Sequence, residues 1–557
     1  MPVYYNDGLD DPVQYDRQAS FVGGQISNFR ENLLNESQAE SLKDLDTEKN
    51  GILKSRRGFH RFADLLGSSS SSTNTQAIAY LDTDAKESLV AFVNSNIYGV
   101  DSSGTVTTIG AAKANSATAQ VDHCQVADKL FYASHVTNNR IGQVKWTGAA
   151  WAVTEVPDGP TNSKYLVNNN FRIFAVQPSD NQVYVSDILP DSSSGTVFPA
   201  ANALKVGLGD PITGLASWVG FNVVVFCKNS CYVIDTNPVP ATASPTVPAA
   251  STFKIRTIST SSGCLSHGSI AQVGEDLFYL SRTGVRSIRR TMEENMIASD
   301  VGVLSYPIQN VIDEINWAQA EKATGIFWRG RYFLSVPTGS STKNDTTIVY
   351  NTNTQSWMGV WRGIVTVDSS TSLPSSTINP VDYAVTQFSG GKPFLISLDK
   401  VGNPLQYRDF VEDINLVDTD YQDKLTTTFA DTGWEATTRA FTFGEQMTSK
   451  DAEFAEFEFD RSDAIIDIGV LLDNEEKENL ANELDTGTGE LRLSFTLPST
   501  LGSGAVTRFR YSMTQYPEFR ELQFNFKQSA QAGTDSKYLA LRSVHAGGFL
   551  NSVGEES

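Results

Sequence analysis

The chain is short of cysteine, of histidine, of positive charge and of helical periodicity, and each shortage excludes something. Four cysteines in 557 residues cannot make a disulfide framework. Five histidines, His60, His123, His135, His267 and His545, include no His-Glu-x-x-His pair and no local metal triad. Lys and Arg number 43 against 64 Asp and Glu, a net charge of −21, which argues against a surface that grips phosphates. No run of about 18 apolar residues is present, so no membrane-spanning helix is expected. The amino terminus is acidic and polar, without the basic start and apolar run of a secretory signal, so synthesis in a cytoplasm is expected, with retention there or exit by some other route. Gly-x-Ser-x-Gly elbows, phosphate-binding loops and dinucleotide fingerprints are also missing.

What is present is a repeating β unit. A short apolar run, a polar turn and a second, strongly hydrophobic run recur from Ala77, Cys124, Lys164, Ile212, Ser269, Thr324 and Tyr383. The spacing of roughly 40–60 residues is that of propeller blades, although no Trp-Asp dipeptide or paired glycine recurs. Single sheets of this kind cannot bury both faces, whereas sheets packed around an axis can. The fold class expected is all-β: a propeller of about six to seven blades over residues 76–409, preceded by an N-terminal arm and docking segment over 1–75. Beyond Phe410 several runs alternate strictly, as in Phe454–Phe459 and Arg520–Lys527, so residues 410–557 are expected to form a β-sandwich-like, acidic domain. Helices are expected only around Asn35–Leu45, Ile308–Glu321 and Asn474–Leu484.

Chemistry-bearing constellations are few. Cys227-x3-Cys231 followed by Cys264-x2-His267 has zinc-type ligands at imperfect spacing. Lys228–Ser230 reads as a hairpin turn that sets the two cysteines opposite each other, and the simpler reading is small residues on a buried blade face. His123 beside Cys124 lacks an orienting third group for thiol catalysis. Asp101–Thr105 and Asp191–Thr196 read as β-turns, since neither continues into the Trp of a sialidase-type repeat. Asn35 and Asn344 open glycosylation sequons by chance. No catalytic residue, cofactor or metal is assigned. Charge is uneven: residues 408–490 hold 23 carboxylates against six Lys and Arg. That segment reads either as a solvated face or as one that lines or rims something that must repel anions. Basic residues gather at Lys54–Arg61 and Arg282–Arg290, the second read as an exposed strand for contacts between subunits.

Two stretches carry a family resemblance. Phe21–Phe62, with Gly23-Gly24, Leu33–Ala39, Gly51-Ile52 and Arg56-Arg57-Gly58-Phe59, is similar to the opening of podophage tail nozzle proteins, the tail tubular protein B and packaged-DNA stabilisation group. The family often has Pro where this chain has Arg57. Gly263–Arg290, Ser305–Ile315, Arg329–Gly339, Ile348–Trp357 and Gly359–Gly363 resemble that family's propeller core in order. Thr437–Glu445 and Tyr538–Phe549 resemble its sandwich. The resemblance implies a structural virion protein of a short-tailed phage, assembled in the host cytoplasm. It would form a homo-oligomeric, hexameric ring at the distal tail that docks on an adaptor ring and carries fibres or spikes. DNA would pass through the ring without sequence-specific binding during genome retention and ejection. A host receptor- or glycan-binding propeller of the tail is the alternative.

Overall fold

The computed structural model of the protein describes residues 13–47, 50–65, 74–113, 119–134, 136, 138–189, 197–199, 202–207, 209–236, 253–297, 303–362, 379–389, 391–399, 403–408, 433–460, 464–477, 479–486, 506–529 and 539–550. Seven antiparallel sheets stand around one axis. Blades 1 to 4 are four-stranded and span residues 75–110, 122–155, 165–205 and 212–259. Blade 5, residues 271–287, has three strands and then the helix Ile288–Ile297, which packs against the outer strand of blade 4. Blade 6 covers 324–361 and blade 7 covers 380–407. The innermost strands touch in order around the ring, and that of blade 7, Pro380–Thr386, meets that of blade 1, Thr75–Thr83.

Blade 7 takes its fourth strand from the other end of the chain. Phe59–Arg61 runs antiparallel to Pro404–Tyr407, pairing Phe59 with Tyr407 and Arg61 with Leu405. The ring is therefore latched by backbone hydrogen bonds between residues about 345 apart in sequence.

Burial grades outward through each blade. The second strands, such as Lys86–Val93, Asn222–Cys227 and Phe394–Asp399, are buried almost throughout. They read as continuous apolar runs because both faces pack on neighbouring blades. The outer strands Val106–Gly110 and Trp151–Glu155 are largely wetted. Seven apolar clusters each join one blade to the next, and an eighth is the core of a separate unit.

That unit is the sandwich. Its sheets face each other through rings such as Phe457, which meets Phe524 at 5.1 Å and Phe526 at 5.4 Å. Residues 434–550 supply most strands, but 13–55 supply the rest: Gln14–Gln18 pairs with Ala540–Leu550, and Gln38–Lys43 pairs with Glu435–Thr438. The stretch expected as an arm is thus divided between sandwich and ring closure. Of the three expected helices, Asn35–Leu45 is instead built into the strands Gln38–Lys43 and Leu45–Thr47. Asn474–Leu484 contains the strands Glu475–Glu476 and Ala481–Asp485. In both, pairing with the sandwich overrides local periodicity. Ile308–Glu321 holds only Gln309–Asp313 and a 3-10 turn, Trp317–Lys322.

Blade 6 and the sandwich share one continuous sheet, joined where Val360 pairs with Lys43. The approach needs glycine. Gly24 and Gly359 have φ of +67° and +86°, and a Cβ on either would overlap the carbonyl oxygen of Trp357 or Leu42.

Candidate functional site

The propeller axis opens into a cavity of about 210 Å³ lined by the inner strands. Asp122 and His123 enter it from blade 2, His267 from the turn before blade 5, and Asp382 from blade 7. Inner strands start at the axis, so an inner-strand side chain facing the lumen meets those of blades far away in sequence.

These groups answer one another. His267 Nε2 lies 2.9 Å from Asp122 Oδ2, and His267 Nδ1 accepts the Leu215 backbone N–H at 3.2 Å. Asp122 Oδ2 also accepts Leu166 N–H at 2.6 Å, binding blade 2 to blade 3. His123 Nε2 is 3.5 Å from Asp382 Oδ2, which accepts Ile78 N–H at 2.9 Å and ties blade 7 to blade 1. Burial alone would lower the His123 pKa, but Asp382, helped by Asp122, outweighs it and raises the value. Burial would raise Asp122, and the adjoining His267 and His123 instead hold it below the ordinary carboxylate value.

The same device continues around the ring. Gln76 Nε2 donates to Ala119 O at 2.6 Å, Asn169 Nδ2 to Ser217 Oγ at 2.8 Å, and Thr213 Oγ1 to Cys264 O at 2.7 Å. Ser266 Oγ donates to Ala323 O at 2.6 Å, and Ser335 Oγ meets Tyr383 OH at 2.6 Å. Every junction between blades carries such a polar stitch. With both ring nitrogens of His267 engaged, and the two carboxylates held by backbone N–H groups, this constellation is built to hold blades together.

The cysteines part company. The register sets Cys231 opposite Phe226, while Cys227 N–H closes the turn onto Ser230 O at 2.8 Å. The expected Cys227–Cys231 facing pair is therefore one residue out of register, and such a slip moves a side chain to the opposite face. Cys227 packs between blades 3 and 4, whereas Cys231 and Cys264 pack between blades 4 and 5. Burial pushes the Cys227 and Cys264 thiols up to about 12 and Cys231 well above its ordinary value, leaving little thiolate at neutral pH. His267 turns away to the axis. Among the described residues no group of three or more His, Cys, Asp or Glu is placed to hold a metal ion.

The basic run Arg282–Arg290 is strand only over Gly284–Ser287, and then becomes the helix Ile288–Ile297. Arg289 pairs at the surface with Glu275 at 3.3 Å. Of the acidic segment, residues 409–432, 461–463, 478 and 487–490 lie outside the described residues. The remainder belongs to the sandwich, with Asp473, Glu475 and Glu476 exposed on a hairpin.

The stretches Arg56–Phe59 and Trp357–Trp361 meet at the propeller–sandwich junction. Arg56 Nε lies 2.6 Å from Asp44 Oδ1, both side chains essentially buried, and its guanidinium stands 5.8 Å from the Phe59 ring and 5.7 Å from the Trp361 ring. Trp361 Nε1 donates to Leu45 O at 2.8 Å, and Trp357 Nε1 to Leu304 O at 3.1 Å. In the sandwich, Arg439 binds Asp16.

No family model and no curated protein matches this chain. Solved propellers do. The WD40 beta propeller domain of Doa1 is 10% identical with a TM-score of 0.37, covering 63% of this chain and 98% of that one. YCF48 bound to D1 peptide is 12% identical with a TM-score of 0.36, covering 68% and 100%. The Cps50 (Swd1) beta-propeller domain of Myceliophteria thermophila is 9% identical with a TM-score of 0.29, covering 66% and 96%. These values concern architecture alone, and the propeller assignment stands on the seven sheets and their closure. Among the described residues no helix is long and apolar enough to cross a membrane.

Proposed function

We propose that the chain is a structural virion protein, the distal tail nozzle of a short-tailed bacteriophage, working as a hexameric ring through which the genome is retained and then released. The observation that carries this reading is where the nozzle-like motifs meet. Gly51–Phe59, Tyr350–Trp357 and Gly359–Arg362 come together where a propeller and a sandwich are joined through one sheet and a buried ion pair. A conduit that withstands the pressure of packaged DNA needs domains that cannot shear against each other. A continuous sheet backed by buried aromatic rings meets that need.

Two further features support it. The axial titrating groups are committed to neighbouring blades, as suits a scaffold. The net charge of −21 disfavours adhesion of DNA, and a ring of copies would multiply it. In this reading the acidic sandwich faces the channel or its rim, and an adaptor ring and fibres bind elsewhere on the ring.

The alternative, a receptor- or glycan-binding tail propeller, draws on Phe171 and Phe221, which are 56% and 41% exposed beside Val219 and Ile188 on adjoining blades. Native mass measurement of the purified chain and imaging of particles from the source lysate test the first reading. It expects a six-copy ring seated at the tail tip. A stable monomer absent from particles would overturn it.

A further inference from the structure

A second concavity, about 490 Å³, lies between blades 5 and 6 and the amino-terminal strands of the sandwich. That volume falls within the range of ligand clefts. Tyr350 and Trp357 form its back wall, their ring centroids 4.9 Å apart. Tyr306 stands at its mouth, 52% exposed.

Its charge is unlike that of the protein. The chain has 64 Asp and Glu, yet among the described residues lining this cleft there is no carboxylate and one cation, Arg290. Arg290 is exposed, and its charge reaches the Tyr350 hydroxyl on the back wall, tempering the rise that burial gives that group. The amides of Gln38 and Gln355 also line the cleft. Gln355 is exposed at a turn, with a φ of 54°.

We propose that this cleft binds an acidic saccharide, its carboxylate on Arg290 and one sugar face on the Tyr306 ring. The guanidinium fork matches a carboxylate. An exposed tyrosine offers an apolar face with a polar edge, as the face of a sugar ring requires. The planar amides can donate to and accept from the ring hydroxyls. A single cation suits one carboxylate better than a phosphate chain. The inference does not rest on the tail-nozzle reading, since it concerns one chain, and oligomer size is measured separately.

The test is saturation-transfer NMR on the full chain with trigalacturonate, sialyllactose and neutral lactose. At least one acidic sugar is expected to bind, with lactose weaker by about tenfold or more. Arg290→Gln is expected to cost the acidic sugar about tenfold and lactose nothing, and Tyr306→Ala to weaken binding by a similar factor. Both side chains are surface-facing, and an unchanged melting temperature shows each variant folded. Failure of both acidic sugars to bind overturns the proposal. So does binding that ignores charge, or an Arg290→Gln variant that binds as the parent does.

Discussion

At the propeller–sandwich junction Asp44 and Arg56 meet at 2.6 Å with neither side chain more than 1% exposed. At the propeller axis His123 and Asp382 meet at 3.5 Å with 23% and 27% of their side chains exposed. Both are polar devices that hold parts of the chain together, but they lie in different media. The junction is dry, and neither of its partners is a histidine. The axis lines a cavity, and the cation that faces Asp382 there is a histidine, His123, whose pKa that carboxylate raises. The junction should therefore be strong and indifferent to mild changes of pH, and the axis weaker and responsive to them.

The largest effect is expected from breaking the junction. Arg56→Ala leaves Asp44 buried without its cation, which costs about 3–5 kcal/mol. The parent is expected to melt in one calorimetric step, and the variant in separate sandwich and propeller steps. A small, undivided shift would mean that the two regions are held by something else. Next comes Gly359→Ala, where the new Cβ meets Leu42 O at a left-handed φ. A loss of about 2–3 kcal/mol is expected in denaturant unfolding, and an unchanged midpoint would show that the approach of the two sheets is loose.

The smallest effect sharpens the other half of the comparison. His123 has a raised pKa, so its contribution is complete below the ordinary histidine value and is lost as pH rises through the raised one. Asp122 has a lowered pKa, so its contribution is complete above the ordinary carboxylate value and is lost only in stronger acid. The axial network is thus fullest at mildly acidic pH. His123→Gln should cost about 1–2 kcal/mol in that window and less as pH rises past the parent histidine's value. A melting-temperature difference between parent and variant that stays constant from mildly acidic to alkaline pH would remove the titrating role. Lys164, Glu321 and Lys322 also line the cavity and remain in both proteins.

The blades were legible in the sequence because their second strands are buried on both faces. Runs such as Leu89–Val93 and Val223–Cys227 have no polar alternation to confuse with a solvent-facing strand. The repeats starting near Ala77, Cys124, Lys164, Ile212, Ser269, Thr324 and Tyr383 each fall at or within two residues of a blade's innermost strand. The latch was not legible. Phe59–Arg61 is three residues long, and its partner lies about 345 residues away. The Asn35–Leu45 segment misled because Leu42 and Leu45 fall at helical spacing, although both point into the sandwich core from strands.

The axial cluster escaped for a different reason. Asp122, His123, His267 and Asp382 have no common spacing, and only ring closure brings them within reach. The cysteines show the converse. Cys227 and Cys231 look paired along the chain, and a register one residue away from that pairing sends them to opposite faces of blade 4.

By itself the sequence determined what depends on local pattern: strands, turns, blade number to within one or two, and a strongly acidic composition. These follow from side-chain hydrophobicity read over a few residues. Which strand closes the ring, which domain residues 13–55 enter, and which charged groups meet were decided only by tertiary structure. Each depends on partners hundreds of residues apart, whose contact no local preference encodes.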